Sequence, residues 1–231
     1  MTTPAAVSPS ELAARILDAL PQTQCTRCGY PDCTAYAQAI ATGEAGIHQC
    51  PPGGAEGIQR LARITNLPAQ PLDPDCGAEG PRTVAYIDED WCIGCTLCLA
   101  ACPTDAIMGG NKRMHTVIEA YCTGCELCLP VCPVDCILLE NASGDATGWA
   151  AWSQPQADLA RERYASHQQR LARDKQENDA KLAALAKMKL SDLTAHSRIE
   201  DPQLLDRKRS IIEAAMARAR AKRTGGSEPN R

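Results

Sequence analysis

The chain has 231 residues, room for one or two ordinary domains, with 14 cysteines, no phenylalanine and only 3% aromatic residues. That cysteine content lies below the density of a disulfide scaffold, and so few rings exclude a conventional aromatic core, so something besides apolar burial must help hold the folded parts together. The net charge of −4 conceals a division: residues 1–154 carry 7 Lys+Arg against 17 Asp+Glu, hence −10, and residues 155–231 carry 17 against 11, hence +6. The opening Met1 to Ser8 has neither the basic nor the apolar region of a secretory signal. No stretch reaches the roughly 18 uninterrupted apolar residues of a bilayer span. The expectation is a cytoplasmic protein, at most peripheral on the inner face of the cell membrane, whose clustered thiols serve as metal ligands.

In chain order, the first predicted element is a helix with Ser8 as N-cap, Pro9 at the first helical position and Glu11 completing a capping box. Leu12, Ile16, Leu17 and Leu20 form its apolar face, and Pro21 ends it. It delivers the chain to Cys25. After Cys50, the Pro51-Pro52-Gly53-Gly54 run makes a turn, and Ile58, Leu61 and Ile64 predict a short helix ending near Asn66. Residues 1–66 thus read as an N-terminal cluster domain, and the proline-rich residues 67–81, which hold Cys76, as a linker.

Residues 82–141 carry an internal repeat with a period of 30 residues. Residues 91–108 set against 121–138 give ten identities in 18 positions, among them all four cysteines, Gly94/Gly124, Pro103/Pro133 and Asp105/Asp135. Two similar halves imply a pseudo-twofold domain, with short strands predicted at Val84–Ile87, His115–Ile118 and Cys136–Leu139. Beyond residue 150 there is no cysteine, and between Gln156 and Asp201 neither proline nor glycine, so residues 150–231 read as a basic helical tail. Asp201 as N-cap and Pro202 at N1 predict its second helix. The fold class expected is α+β, a small helical domain followed by a ferredoxin-like domain and the tail.

Each half of the repeat reads C-x2-C-x2-C-x3-C-P, the ligand run of bacterial-type ferredoxins, in which the fourth cysteine serves the other cluster. Three closely spaced thiolates on one loop cap three irons of a cube. The chain then turns away, so the fourth iron needs a ligand from a distant loop. Cys92, Cys95, Cys98 and Cys132 are therefore assigned to one 4Fe–4S cluster, and Cys122, Cys125, Cys128 and Cys102 to another. Gly94 and Gly124 let the backbone turn tightly around the sulfurs. Zinc also binds C-x2-C pairs, but two runs of four thiols with a trailing proline do not divide into such pairs.

The N-terminal set Cys25, Cys28, Cys33 and Cys50 is spaced irregularly. Its spacing admits a third 4Fe–4S cluster, with zinc as the competing reading. Cys136 stands where Ala106 stands in the first half and reads as a small buried hydrophobe. Cys76 reads as an incidental thiol, and His48 and His115 as structural or exposed. No dinucleotide fingerprint or phosphate loop is present, so a small-molecule substrate is not expected.

The run from Leu20 to Cys33 (LPQTQCTRCGYPDC) with Cys50-Pro51-Pro52-Gly53-Gly54 resembles the cluster domain of the B subunit of the Rnf electron-transport complex. So do IDED-x-CIGCT at 87–96, MHTVI at 114–118 and CTGCELC at 122–128. The resemblance covers about residues 10–140 and implies that the N-terminal four cysteines hold a third 4Fe–4S cluster. It also implies a relay of single electrons between redox proteins, an electron donor and an acceptor among membrane redox subunits or a redox-sensing regulator. On this reading the chain is an electron-carrier subunit of an oxidoreductase complex and no self-sufficient enzyme. Members of that family usually open with a membrane-spanning helix, which this sequence lacks, and the basic tail lies outside the shared pattern. The tail motivates a second expectation, a redox-sensing regulatory or interaction protein whose runs Arg207-Lys208-Arg209 and Arg218 to Arg223 contact nucleic acid or an acidic partner. No aromatic residues interleave there for base stacking, which speaks against nucleic acid.

Overall fold

The computed structural model describes residues 8–224; the residues read for a signal peptide, apart from Ser8, lie outside them. The chain divides into two compact units, one ending at His167 and the other beginning at Gln168. Content is mixed, mostly helix with short strands.

In the first unit, helix α1 spans Pro9–Asp18. Ser8 Oγ accepts from the Glu11 backbone N–H at 3.2 Å, the cap that the sequence predicts. Helix α2, Cys33–Thr42, is not foreseen from the sequence; its buried residues are Cys33, Tyr36, Ala37, Ala39 and Ile40. Asp32 caps it, accepting from Ala35 N–H at 2.7 Å, and Gly43 closes it with φ +78°. Helix α3, Gly54–Thr65, ends on Asn66 in the left-handed region. Ile16, Leu20, Tyr36, Ile40, Ile58 and Leu61 form the core that these three helices share.

The repeat folds as interlocked halves. Strand β1 (Thr83–Ile87) of the first half pairs antiparallel with β4 (Ile137–Asn141) of the second, Ala85 opposite Leu139. Between them, β2 (Ile107–Met108) of the first half pairs with β3 (Thr116–Val117) of the second. A five-residue helix α4, Leu97–Ala101, follows the first cysteine run. The backbone repeats with the sequence: φ is +68° at Gly94 and +67° at Gly124, +66° at Thr96 and +64° at Glu126, and +50° at both Asp105 and Asp135. A Cβ at Gly94 would collide with the backbone of Lys112 and Arg113, and one at Gly124 with the Thr83 carbonyl, so both turns exclude side chains for lack of space as well as for φ.

The stretches read as an N-terminal domain, a linker and a two-cluster domain all lie in this first unit. The linker is tied down: Asp73 N–H donates to the His48 carbonyl at 2.9 Å, and Glu79 accepts from Ala55 N–H at 2.8 Å and from Thr147 Oγ1 at 2.7 Å. Helix α5, Gln154–Ser191, starts here too. Trp149, Trp152, Ala157 and Ala160 form a small apolar cluster of their own, so the structural boundary falls at residue 167, where the sequence reading starts the tail at 150. Lack of cysteine after 136 hid this, because apolar anchors and not thiols hold residues 149–167 in place.

The second unit holds the rest of α5 and helix α6, Pro202–Thr224. Asp201 Oδ1 accepts from Gln203 N–H at 2.8 Å, as its position predicts for an N-cap. Leu182, Ala186, Ile211, Ala215 and Met216 line an apolar groove along both helices. Arg207, Arg209, Arg218 and Arg220 are exposed, whereas the side chains of Lys222 and Arg223 lie outside the described residues.

Candidate metal centre

Strand exchange between the halves encloses two cavities. One is lined by Cys122, Cys125 and Cys128 from the second run together with Cys102 from the first. The other is lined by Cys92, Cys95 and Cys98 together with Cys132, and also by Cys136 and His115. Each loop brings three thiols to one cavity, and the tight exit turn at its Cys-Pro carries the fourth across. Cys98, Cys102, Cys122 and Cys128 are buried and the other four half-buried.

Backbone N–H groups point at these sulfurs: Ala106 N–H donates to Cys102 Sγ at 3.2 Å, and Ala85 N–H to Cys122 Sγ at 3.4 Å. Burial pushes the thiols of Cys98 and Cys125 up to about 11 and that of Cys128 up to about 12, Cys128 further through neighbouring Cys125, Cys122 and Cys102. Such thiols do not ionise unaided at neutral pH; a bound cationic centre would draw their protons off. Cys132 behaves oppositely. Burial raises it, but N–H groups of Val134, Cys136 and Asp135 and the Cys136 thiol hold it below its ordinary value. Cys136 Sγ lies 3.5 Å from Cys132 Sγ, so this residue, read from sequence as a small hydrophobe, is buried and also touches a thiol of the site.

Cys25, Cys28, Cys33 and Cys50 come together beside α2. Burial, then Cys33 and Cys25, raise the Cys50 thiol well above its ordinary value, with Cys28 contributing, while burial takes Cys33 to about 12. Gln24, 2% exposed, orients the site by accepting from Cys33 N–H at 2.9 Å. Gln22, Gln24 and Thr26 have φ near +60° while the residues between them do not; alternation of this kind turns successive N–H groups toward an anionic centre. Cys76 lies close enough to raise the Cys28 thiol, after burial, Cys25 and the backbone have acted. His48 contributes its carbonyl to Asp73.

Among the described residues, no three His, Cys, Asp or Glu side chains converge closely enough to share a single ion. The thiols of the two repeat runs instead line the two cavities.

The N-terminal site and the Cys102/Cys122/Cys125/Cys128 site are docked together. Thr123 Oγ1 donates to the Thr23 carbonyl at 2.9 Å, and Arg27 Nη2 pairs with Glu126 Oε1 at 2.6 Å. Residues 152–167 clasp both: Tyr164 Oη donates to Asp32 Oδ2 at 3.0 Å, while Arg163 donates to the carbonyls of Thr104 at 2.7 Å and Asp105 at 3.0 Å and covers the Tyr121 ring at 3.5 Å. His167 Nδ1 lies 2.8 Å from Asp105 Oδ1. Nothing in the sequence pattern singles out Arg163 or His167, since each sits in a uniformly polar helix.

A strand-exchanged repeat enclosing two thiol-lined cavities defines a 4Fe–4S iron–sulfur protein. A family model described as a 4Fe-4S dicluster domain matches residues 85–139, and one described as a putative Fe-S cluster matches residues 20–52. The chain is 63% identical over 99 residues to the B subunit of the ion-translocating oxidoreductase complex of Azoarcus sp. (strain BH72), covering 43% of this chain and 54% of the relative. It is 55% identical over 112 residues to that of Thiobacillus denitrificans, covering 48% and 60%. With its counterpart in Alkalilimnicola ehrlichii it shares 50% identity over 157 residues, 67% of this chain and 83% of the relative. The chain belongs to the family of B subunits of ion-translocating oxidoreductase complexes, and it spans little more than half the length of the first two relatives. Among the described residues no helix is long and apolar enough to cross a membrane.

Proposed function

We propose that the chain holds three 4Fe–4S clusters and relays single electrons between redox proteins, as a carrier subunit of an oxidoreductase complex of the kind that its relatives' names describe. The observation that carries this reading is the lining of the two cavities, each by the three cysteines of one run with the fourth crossing from the other half, Cys136 adding a fifth to the first. Ligands are proposed to be Cys92, Cys95, Cys98 and Cys132 for the first site, Cys122, Cys125, Cys128 and Cys102 for the second, and Cys25, Cys28, Cys33 and Cys50 for the third. When bound, such clusters supply reversible one-electron chemistry.

The chain's own residues do the rest. Gly94 and Gly124 let the loops fold over the sulfurs, backbone N–H groups stabilise thiolate charge, and Arg27, Glu126, Thr23 and Thr123 hold the N-terminal site against the second. This supports a linear order: the N-terminal site, then the second, then the first. The partners proposed are an electron donor and an acceptor among the other subunits of such a complex.

Iron and acid-labile sulfide on anaerobically purified protein test the reading, with absorption and paramagnetic resonance spectra before and after dithionite. About 12 of each per chain, four per cluster, with reversible bleaching are expected. Stoichiometric zinc in place of iron, or iron that does not respond to dithionite, would overturn it.

A further inference from the structure

Ten lining positions of the two cavities correspond at the 30-residue offset of the repeat, and five of them differ. Where the second has Ala85, Thr104, Ala106, Val117 and Thr123, the first has His115, Val134, Cys136, Ile87 and Ile93. Of these the histidine is the largest change, from a methyl group to a ring with two polar nitrogens.

His115 is 1% exposed, with Nδ1 3.3 Å from Cys98 Sγ. Its ring fits only because Gly109 lacks a side chain: a Cβ there would run into the ring. Nε2 is buried and has no partner among the described residues. A ring is thus accommodated at the expense of an unpaired polar atom, in a place where the other half of the repeat is satisfied with alanine. Burial of that kind persists where the remaining nitrogen does something that a methyl group does not.

Resting on the three-cluster reading above, we propose that His115 is a positioning residue for the Cys92/Cys95/Cys98/Cys132 site: by donating Nδ1–H to Cys98 Sγ it raises the reduction potential of that site above that of its pseudo-symmetric twin. A ligating thiolate only accepts, so the proton of this bond resides on Nδ1. Reduction brings one electron from an external donor and adds negative charge that is shared with the sulfurs. A hydrogen bond to sulfur therefore favours the reduced state, and the proton stays on the ring throughout. At the twin position Ala85 has only a methyl group and so no side-chain donor for Cys128, the repeat counterpart of Cys98; its backbone N–H donates instead to Cys122 Sγ at 3.4 Å. The two sites of an otherwise repeated domain are thereby made unequal, and the electron settles at the site farther along the relay from the N-terminal one.

The test is an anaerobic potentiometric titration of the full chain, followed by paramagnetic resonance, on wild type, His115→Phe and His115→Asn, with iron counted in each. In His115→Phe one potential is expected to fall by about 59 mV, a tenfold change in a one-electron equilibrium, with the others unmoved. His115→Asn, whose amide N–H reaches the place of Nδ1, is expected to recover most of the shift. Unchanged potentials in a His115→Phe protein with full iron overturn the proposal. Loss of one cluster from His115→Phe but not from His115→Asn supports the same bond, whereas loss from both leaves the ring a packing role and also overturns it. Failure of the underlying reading is separate, since it shows as absent iron in the wild type.

Discussion

Trp152 donates its indole N–H to the carbonyl oxygen of Pro21 at 2.8 Å, with both residues buried. Pro21 begins the loop that leads to Cys25, so the segment that enters α5 holds the N-terminal site from outside. Removing the chain after residue 150 is expected to cost iron and stability, while removal after about residue 170 leaves both unchanged. Trp152→Ala is expected to cost about 3–5 kcal/mol through cavity formation and the lost hydrogen bond. Iron counts and anaerobic denaturation of the two truncations and the point variant check this.

Arg163 fixes the carbonyls of Thr104 and Asp105, just beyond Cys102 and Pro103. Arg163→Ala is expected to lose about 1.5–3 kcal/mol, the range for hydrogen bonds to a charged group, and to speed iron loss from the Cys102 site under a chelator. Arg163→Lys restores only part, because an ammonium does not serve two carbonyls and lie flat over Tyr121. Chelation kinetics resolved by spectroscopy distinguish this site from the others.

Arg27 and Glu126 are each about one-third exposed, so their pairing contributes at most about 1 kcal/mol to stability. Its larger effect is expected on transfer. Arg27→Glu sets two carboxylates against each other between the N-terminal and second sites and slows electron equilibration between them, most at low salt. The exchanged double variant, Arg27→Glu with Glu126→Arg, is expected to recover the rate. Equal rates in all three proteins after rapid photoreduction would remove the contact from the electron path.

The crossed ligation proposed above makes a selective prediction for the fourth cysteines. Cys132→Ala is expected to abolish the cluster carried by Cys92, Cys95 and Cys98, and Cys102→Ala the one carried by Cys122, Cys125 and Cys128. Gly124→Ala, which sets a methyl group against the Thr83 carbonyl, is expected to damage the second site alone. Resonance spectra of the reduced variants decide; loss of the same-loop cluster in Cys132→Ala would reverse the assignment.

Much of the local structure is legible in the sequence because local chemistry specifies it. Ser8 and Asp201 cap their helices where they stand, and the repeat announces itself in ten identities that the backbone follows down to paired positive φ angles. Helix α2 escapes because it is short and its exposed side is largely alanine and threonine, so the buried face of Cys33, Tyr36, Ala37 and Ile40 stands out little. Residues 149–167 escape for the opposite reason: a few anchors, Trp149, Trp152, Arg163 and Tyr164, are set in a sequence otherwise typical of a solvated helix. His115 was visible as a residue but not as a neighbour of Cys98, since 17 residues and a strand exchange separate them.

Five of the eleven buried residues that make the core of the repeat are cysteines: Cys98, Cys102, Cys122, Cys128 and Cys136. Four of these five are among the ligands proposed above, so the atoms proposed to carry the redox chemistry are also the middle of the fold. A newly synthesised chain short of iron and sulfide has thiols and a few small aliphatic groups with which to close this region, far less than an ordinary interior of its size. Its lifetime against proteases then follows the supply of cofactor, and the amount of this protein in a cell becomes a gauge of how well iron–sulfur assembly is keeping pace with translation.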